Sequence, residues 1–220
     1  MLYIVSTPIG NLKDISYRAV EILKNVDFIL AEDTRRTNIL LKHYKIENKL
    51  ISYNDTNKSK KTRPIIKELL DEKEIALVSD AGTPGISDPG FYLVKECVKN
   101  NIKIIPIPGA NAAIAGLISS GLPTDKFTFY GFFPKKRSKQ EKIIEGIKQR
   151  NETAIFYDSP YRIKKTVAFF LETIPEYNLV ICREMTKKFE EFIRGKVRKV
   201  HESIKDRNIK GEITIILSKK

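Results

Sequence analysis

Seven charged residues stand where short apolar runs give way to turns: Glu32, Asp33, Arg35, Arg36, Glu184, Lys210 and Glu212. Carboxylates so placed can take a proton from a weak nucleophile such as a hydroxyl, and a neighbouring cation can steady the alkoxide as it forms. The same carboxylates could instead hold loops by pairing with Arg36, Arg183 or Lys210. A second feature points to a ligand. From Leu77 to Gly90 an apolar run ends in a dense cluster of Gly, Pro, Ser and Asp, with glycines at 82, 85 and 90. Glycines let a flat molecule approach the backbone closely. In open α/β sheets, small molecules bind at the carboxyl ends of strands, where loops present unclaimed N–H and C=O groups.

The elements that must position these groups follow from hydrophobic periodicity. Residues 2–6, 27–31, 75–79 and 102–107 are short runs rich in Ile, Val, Leu and Phe, separated by segments of helical period, which predicts an α/β unit with a mainly parallel sheet. Ala19, Val20, Ile22, Leu23 and Val26 form one helix face after start signals at Asp14 and Ser16. After the glycine loop, Asp88 suits an N-cap and Pro89 a first helical position, with Leu93, Val94, Cys97 and Val98 pointing inward. Pro106-Ile107-Pro108-Gly109 stops the fourth run. The pattern then restarts, with strands near 127–131, 153–157, 178–182 and 212–218. Helices are expected over 138–150, opened by a capping box of Ser138 and Glu141, and over 160–174, opened by Pro160. The expected organisation is two α/β domains, residues 1–109 and 110–220.

Composition narrows the classes. A chain of 220 residues that is 41% hydrophobic and 30% charged suits a globular protein with a sizeable core. No apolar run approaches the ~20 residues a bilayer demands, and Met1 to Ser6 lacks the basic flank of a secretion signal. Cys97 and Cys182 lie far apart without metal-ligand spacing, so they read as buried thiols of a reduced cytoplasm. The net charge of +13 is uneven: 17 Lys and Arg against 14 Asp and Glu up to residue 109, then 23 against 13. The second half, at +10, is the better partner for a polyanion. Within it Lys135, Lys136 and Arg137 follow Phe132 and Phe133, a pattern that can neutralise phosphates and stack unpaired bases, although such aromatics are more often core or dimer contacts. Arg35 and Arg36 suit phosphate or the path of an RNA. No G-x-x-x-x-G-K-[ST] occurs, which disfavours a nucleotide hydrolase.

Six turns, each near a strand end, carry a family resemblance: Ser6-Thr7-Pro8-Ile9-Gly10-Asn11-Leu12, Ala31-Glu32-Asp33-Thr34-Arg35-Arg36-Thr37, the 79–90 loop, Pro106-Ile107-Pro108-Gly109-Ala110-Asn111-Ala112, Tyr157-Asp158-Ser159-Pro160-Tyr161-Arg162, and Lys210-Gly211-Glu212-Ile213-Thr214. In this order and register they resemble the tetrapyrrole-methylase superfamily, and within it the branch that methylates a cytidine ribose 2′-oxygen at the decoding centre of bacterial 16S ribosomal RNA. The resemblance implies two α/β domains of the tetrapyrrole methylase type with the cofactor cleft between them, S-adenosyl-L-methionine as cofactor, and a cytoplasmic homodimer. It implies cofactor contacts from Pro8, Gly10, Gly82, Thr83, Pro84, Ile86, Gly109, Asn111, Ala112, Tyr157, Asp158, Glu212 and Ile213. One departure is that tetrapyrrole-binding members carry an acidic residue where this loop has Thr83.

Methyl transfer from a sulfonium is an in-line displacement, so the protein must chiefly align donor and acceptor and exclude water, and no metal is required. A ribose hydroxyl needs help to lose its proton. Asp33 or Glu184 is expected as proton acceptor, with Lys210 as electrostatic helper. The expected partner is 16S rRNA or the assembled small ribosomal subunit. The competing readings are a corrin or porphyrin methyltransferase and a non-catalytic RNA-binding assembly factor.

Overall fold

Two strands made almost wholly of apolar residues, Phe28–Ala31 and Ile75–Val78, are buried along their whole length. Only a sheet covered on both faces accommodates such runs. The computed structural model describes residues 1–88 and 90–220, which divide into two compact units, Met1–Asn111 and Ala112–Lys220. The first contains β1 (Leu2–Val5), α1 (Tyr17–Asn25), β2 (Phe28–Ala31), α2 (Thr34–His43), β3 (Leu50–Ser52), α3 (Lys58–Leu70), β4 (Ile75–Val78), α4 (Gly90–Lys99) and β5 (Ile104–Ile107). Its strands are all parallel, in the order β3-β2-β4-β1-β5. Strand alternation sorts the core into two layers. Val5, Ile29, Ala31, Ala76 and Val78 pack with Ala19 and Leu23 of α1 and Leu41 of α2. Leu2, Phe28, Leu30, Ile75 and Leu77 pack with Ile65 and Leu69 of α3 and Leu93 and Cys97 of α4.

The second unit contains α5 (Ala112–Ser120), β6 (Phe127–Phe132), α6 (Arg137–Arg150), β7 (Thr153–Asp158), α7 (Ile163–Thr173), β8 (Asn178–Arg183), β9 (Glu191–Lys196), α8 (Val197–Ile204) and β10 (Ile213–Ser218). Its sheet runs β6-β7-β10-β8-β9; only β6 and β7 are parallel, and the other pairs are antiparallel. One face carries Phe156, Ile181, Ile215 and Leu217 against Ile144 of α6, Val167 and Phe170 of α7 and Val200 of α8. On the other, α5 lies across β10 at Gly116, where an added Cβ would sit 3.3 Å from Thr214 and 3.5 Å from the Cys182 sulfur.

Several local expectations change. The capping box at Ser138 does not form. α6 begins one residue earlier with Lys136 at its N-cap and no side-chain cap, because Glu141 accepts instead from Arg137 Nε at 2.9 Å. α7 begins at Ile163 and not at Pro160, since the Ser159 carbonyl accepts from the amides of Arg162 and Ile163 and holds the intervening residues in a turn. Val98 is exposed; α4 has already presented Leu93 and Cys97 to the sheet. Ser16 caps α1 as expected, accepting from the Ala19 amide at 3.1 Å. The expected start of α4 at Pro89 lies outside the described residues. Among the described residues no helix is long and apolar enough to cross a membrane.

Candidate active-site loops

The loops that follow β1, β4 and β5 emerge from one edge of the parallel sheet and are tied to one another. The Thr7 amide donates to the Gly82 carbonyl at 2.9 Å and the Gly82 amide to the Thr7 carbonyl at 3.0 Å. Ser6 Oγ donates to Thr83 Oγ1, and Thr83 Oγ1 donates to the Ala110 carbonyl, both at 3.1 Å. Thr83 therefore joins three strand ends through one hydroxyl. Space is tight here: an added Cβ would sit 2.8 Å from Ser6 Cβ at Gly109, and 3.3 Å from Ile9 at Gly82, whose φ is +80°. These contacts bring Gly82, Thr83 and Gly109 together on a strand-end platform, with Pro8, Gly10, Pro84, Ile86 and Asn111 in the same three loops. Gly10 and Gly109 are exposed there, whereas Gly82 is buried with its amide and carbonyl both bonded to Thr7.

Beside this platform, the ends of β2 and β4 gather carboxylates. The Asp80 amide points to Glu32 Oε2 at 3.4 Å, and the Asp33 amide donates to Asp80 Oδ1 at 2.9 Å. Burial, then the neighbouring Glu32, pushes the Asp88 carboxyl up to about 6, against the opposing hydrogen bond from Ser79. Glu32 is likewise raised, by burial and then by Asp80. Sequence reasoning named Glu32 as a strand-end charge and took Asp88 only for a cap. The signal it lacked was spatial, because β2 and β4 are neighbours in the sheet although far apart in the chain.

Asp33 has a different task. It is the N-cap of α2, accepting from the Arg35 amide at 2.9 Å, and its carboxylate also takes Arg35 Nε and Nη2 at 3.0 and 2.7 Å. The Arg35 guanidinium holds its pKa down to about 2. A carboxylate held so acidic is a poor proton acceptor near neutral pH. Arg36 pairs with Asp80 at 3.3 Å, so both arginines expected to meet RNA are engaged by local carboxylates, while remaining largely exposed.

In the second unit, antiparallel pairing sets Ile213 between Asp158 and Arg183 on adjacent strands. The Asp158 side chain is fully buried; it accepts from Arg162 Nε at 3.0 Å, from Thr166 Oγ1 and from the Ser159 amide, and so anchors α7 to the end of β7. Any cofactor contact at Asp158 falls to its main chain. Tyr157 is half-buried, its ring edge-on to Phe129 and Phe132. Glu184 accepts from Lys187 Nζ at 3.0 Å and from the Glu212 amide at 2.8 Å. Burial pushes its carboxyl up, but the Glu212 amide and the lysine outweigh burial and leave it below its ordinary value. Its carboxylate lies where a side chain on Gly211 would go, and Gly211 has a φ of +92°. Glu184 is thus a loop brace, and the cations that hold Asp33 and Glu184 are Arg35 and Lys187 rather than Arg36, Arg183 or Lys210. Arg183 pairs with Glu191 at 3.0 Å. Lys210 is exposed, and no carboxylate pairs with it among the described residues. Ala112 is the first residue of α5.

Of the basic run before α6, Lys135 and Lys136 are exposed. Arg137 is committed to Glu141 and Glu172, both at 2.9 Å, and lies over the Phe169 ring. Phe132 is exposed and Phe133 is buried in the core, so only the first is free to stack on a ligand.

An α/β chain with two five-stranded sheets and glycine-rich loops at strand ends defines a class whose solved members share this fold. Diphthine synthase superposes with a TM-score of 0.75 at 15% identity, covering 100% of this chain and 90% of that one. A cobalt precorrin-4 methyltransferase gives 0.72 at 16% identity over 99% of this chain and 94% of its own. The chain belongs to the family of tetrapyrrole (corrin/porphyrin) methylases, whose sequence model matches residues 1–201. Its relatives include proteins named ribosomal RNA small subunit methyltransferase I. The one from Halalkalibacterium halodurans is 47% identical over 98% of this chain and 75% of its own length. The Buchnera aphidicola (subsp. Schizaphis graminum) protein is 50% identical over 99% and 78%, and the Hydrogenobaculum protein 49% over 99% and 95%.

Proposed function

We propose that this protein is an S-adenosylmethionine-dependent methyltransferase that acts on the ribose 2′-hydroxyl of a cytidine in the decoding centre of 16S rRNA. The observation that carries the reading is the 47% identity, sustained over 98% of the chain, to a small-subunit ribosomal RNA methyltransferase. The backbone platform and the second-half charge of +10 agree with it. A ribosomal substrate implies the cytoplasm, and the family resemblance implies a homodimer, to be checked by light scattering.

The cofactor, when bound, supplies an electrophilic methyl on a sulfonium. Main-chain groups of Thr83, Pro84, Ile86, Gly109 and Asn111 would hold it, with Pro8 and Gly10 in the neighbouring loop and Gly82 fixing that loop through its paired bonds to Thr7. Asp33 is bound by Arg35 and held at about 2, which makes it a weak base, whereas Asp88, at about 6 beside Glu32, is the stronger base at these strand ends. Lys210 retains a free cationic head that can steady developing negative charge. Arg35, Arg36, Lys135 and Lys136 supply positive charge toward the RNA backbone. Arg137 orders the start of α6.

The test is to incubate undermethylated small subunits with the protein and labelled cofactor, digest the RNA to nucleosides and identify the labelled species by mass spectrometry. The expected product is 2′-O-methylcytidine. Label found only on a base, or only on an added tetrapyrrole, overturns the reading.

A further inference from the structure

A pocket of about 680 Å³ opens between the turn that precedes α7 and the segment leading into β10, wholly within the second unit. Tyr161 stands at its rim with 91% of its surface exposed, an unusual position for a ring that is not packing against protein. Around it lie Lys164, Asp206, Arg207, Asn208 and Lys210. The charges there are not equivalent. Arg207 is tied to Glu191, a carboxylate it shares with Arg183, meeting it with one nitrogen at 2.7 and 2.8 Å from the two carboxylate oxygens. Lys164 points its ammonium at the Lys205 carbonyl at 2.8 Å, a neutral partner that orients the charge without removing it. Lys210 has no carboxylate partner among the described residues. Lys164 and Lys210 therefore line the pocket as available cations, with one carboxylate, Asp206, and one exposed aromatic ring, Tyr161.

We infer that this pocket takes one nucleotide of single-stranded RNA, with Tyr161 stacking on the base and Lys164 meeting a flanking phosphate. An exposed ring in a pocket that also carries a cation suits an unpaired nucleotide, since every base has a face to stack and every linkage a charge to neutralise. The Asn208 amide offers both a donor and an acceptor to a base edge. The inference rests on the proposed RNA substrate and adds a binding surface separate from Lys135 and Lys136.

Steady-state methylation of undermethylated small subunits by Tyr161→Ala, Tyr161→Phe and Lys164→Glu variants tests it, alongside photo-crosslinking of the intact protein to a 4-thiouridine-containing single-stranded oligoribonucleotide. Loss of stacking in Tyr161→Ala should raise KM for the subunit about tenfold or more, with kcat little changed, while Tyr161→Phe stays near wild type. Lys164→Glu should also raise KM. Cofactor affinity by calorimetry should be unchanged in all three, which separates a weakened grip on RNA from misfolding. The crosslink should map to residues 160–164 or 206–211. Wild-type KM in both Tyr161→Ala and Lys164→Glu, or adducts confined to other segments, overturns the inference while leaving the methyltransferase reading intact. A wild-type protein that methylates no ribosomal RNA overturns that reading, and this one with it.

Discussion

Gly82 and Asp88 lie six positions apart in one loop, and they make opposite demands on any substitution. At Gly82 the backbone sits at φ +80° with Ile9 3.3 Å and the Ala110 carbonyl 3.5 Å from where a Cβ would stand. A β-branched side chain is strained in that conformation and has nowhere to go. Gly82→Val should abolish cofactor binding by calorimetry while circular dichroism still reports a folded chain; retained affinity in a folded variant would remove the loop from the cofactor site. Asp88 is the reverse case, a group the fold tolerates at a cost. Its carboxyl has an ordinary pKa of 3.8 and is held at about 6 in the folded chain, so the protonated form favours folding. That contribution is complete below pH 4 and is lost as pH rises through 6. Asp88→Asn should accordingly match wild type in Tm near pH 4 and exceed it by a few degrees at pH 8, the gain bounded at about 3 kcal/mol and reduced by residual exposure to water. If Asp88 also accepts the ribose proton, kcat of the wild type should rise with pH through about 6, and the variant should lose most activity at every pH. A variant with wild-type kcat would return the search for the base to the other carboxylates.

Helix α6 shows how one element can mix two purposes. Arg137 is bound to Glu141, Glu172 and the Phe169 ring, whereas Lys135 and Lys136 reach solvent just before the first turn. The double variant Lys135→Ala/Lys136→Ala should therefore flatten the log-log dependence of RNA affinity on salt by roughly 1.4, at about 0.7 for each single-strand phosphate that is no longer neutralised. Arg137→Ala should lower Tm and leave that slope nearly unchanged. An unaltered slope in the lysine variant would move the RNA path away from α6. The element also marks where sequence reading stops. Its apolar period was legible, but the start was not, because Ser138 and Glu141 satisfy the capping pattern while Arg137 competes for the same glutamate. β9 escaped for a related reason. As an edge strand its residues are half-exposed, and Glu-Phe-Ile-Arg-Gly-Lys carries no apolar run to betray it. β3 is an edge strand of three residues, too short for any period to register.

Across the molecule, the parallel sheet of the first unit was legible because burial on both faces writes continuous apolar runs into β2 and β4. The strand-end glycine turns were legible for the same reason, as abrupt changes of composition. Pairings between side chains were not. That Glu184 braces Gly211 and that Glu32 and Asp88 share a corner are facts of sheet order, which local pattern does not encode, whereas Asp33 and Arg35 meet within a single helix cap. Gly211 offers a check at this level: Gly211→Ala must displace the Glu184 side chain, so it should lower Tm, and Glu184→Ala in the same chain should recover part of the loss. No recovery would mean that the glycine is required for its φ alone.

The order of strands also imposes an order in time. The first sheet is complete once Ile107 has been made, whereas in the second, the middle position between β7 and β8 belongs to β10, whose residues are 213–218. During synthesis the first unit can close early, but the second must wait with two open strand edges until its last strand leaves the ribosome. Nascent chains arrested after the first unit should already resist protease over residues 1–111, and those arrested just short of Ile213 should still be cut readily beyond it. The organism that makes this protein thus carries, for the seconds of its translation, an unfinished sheet held open by its own sequence, a natural point of engagement for a chaperone.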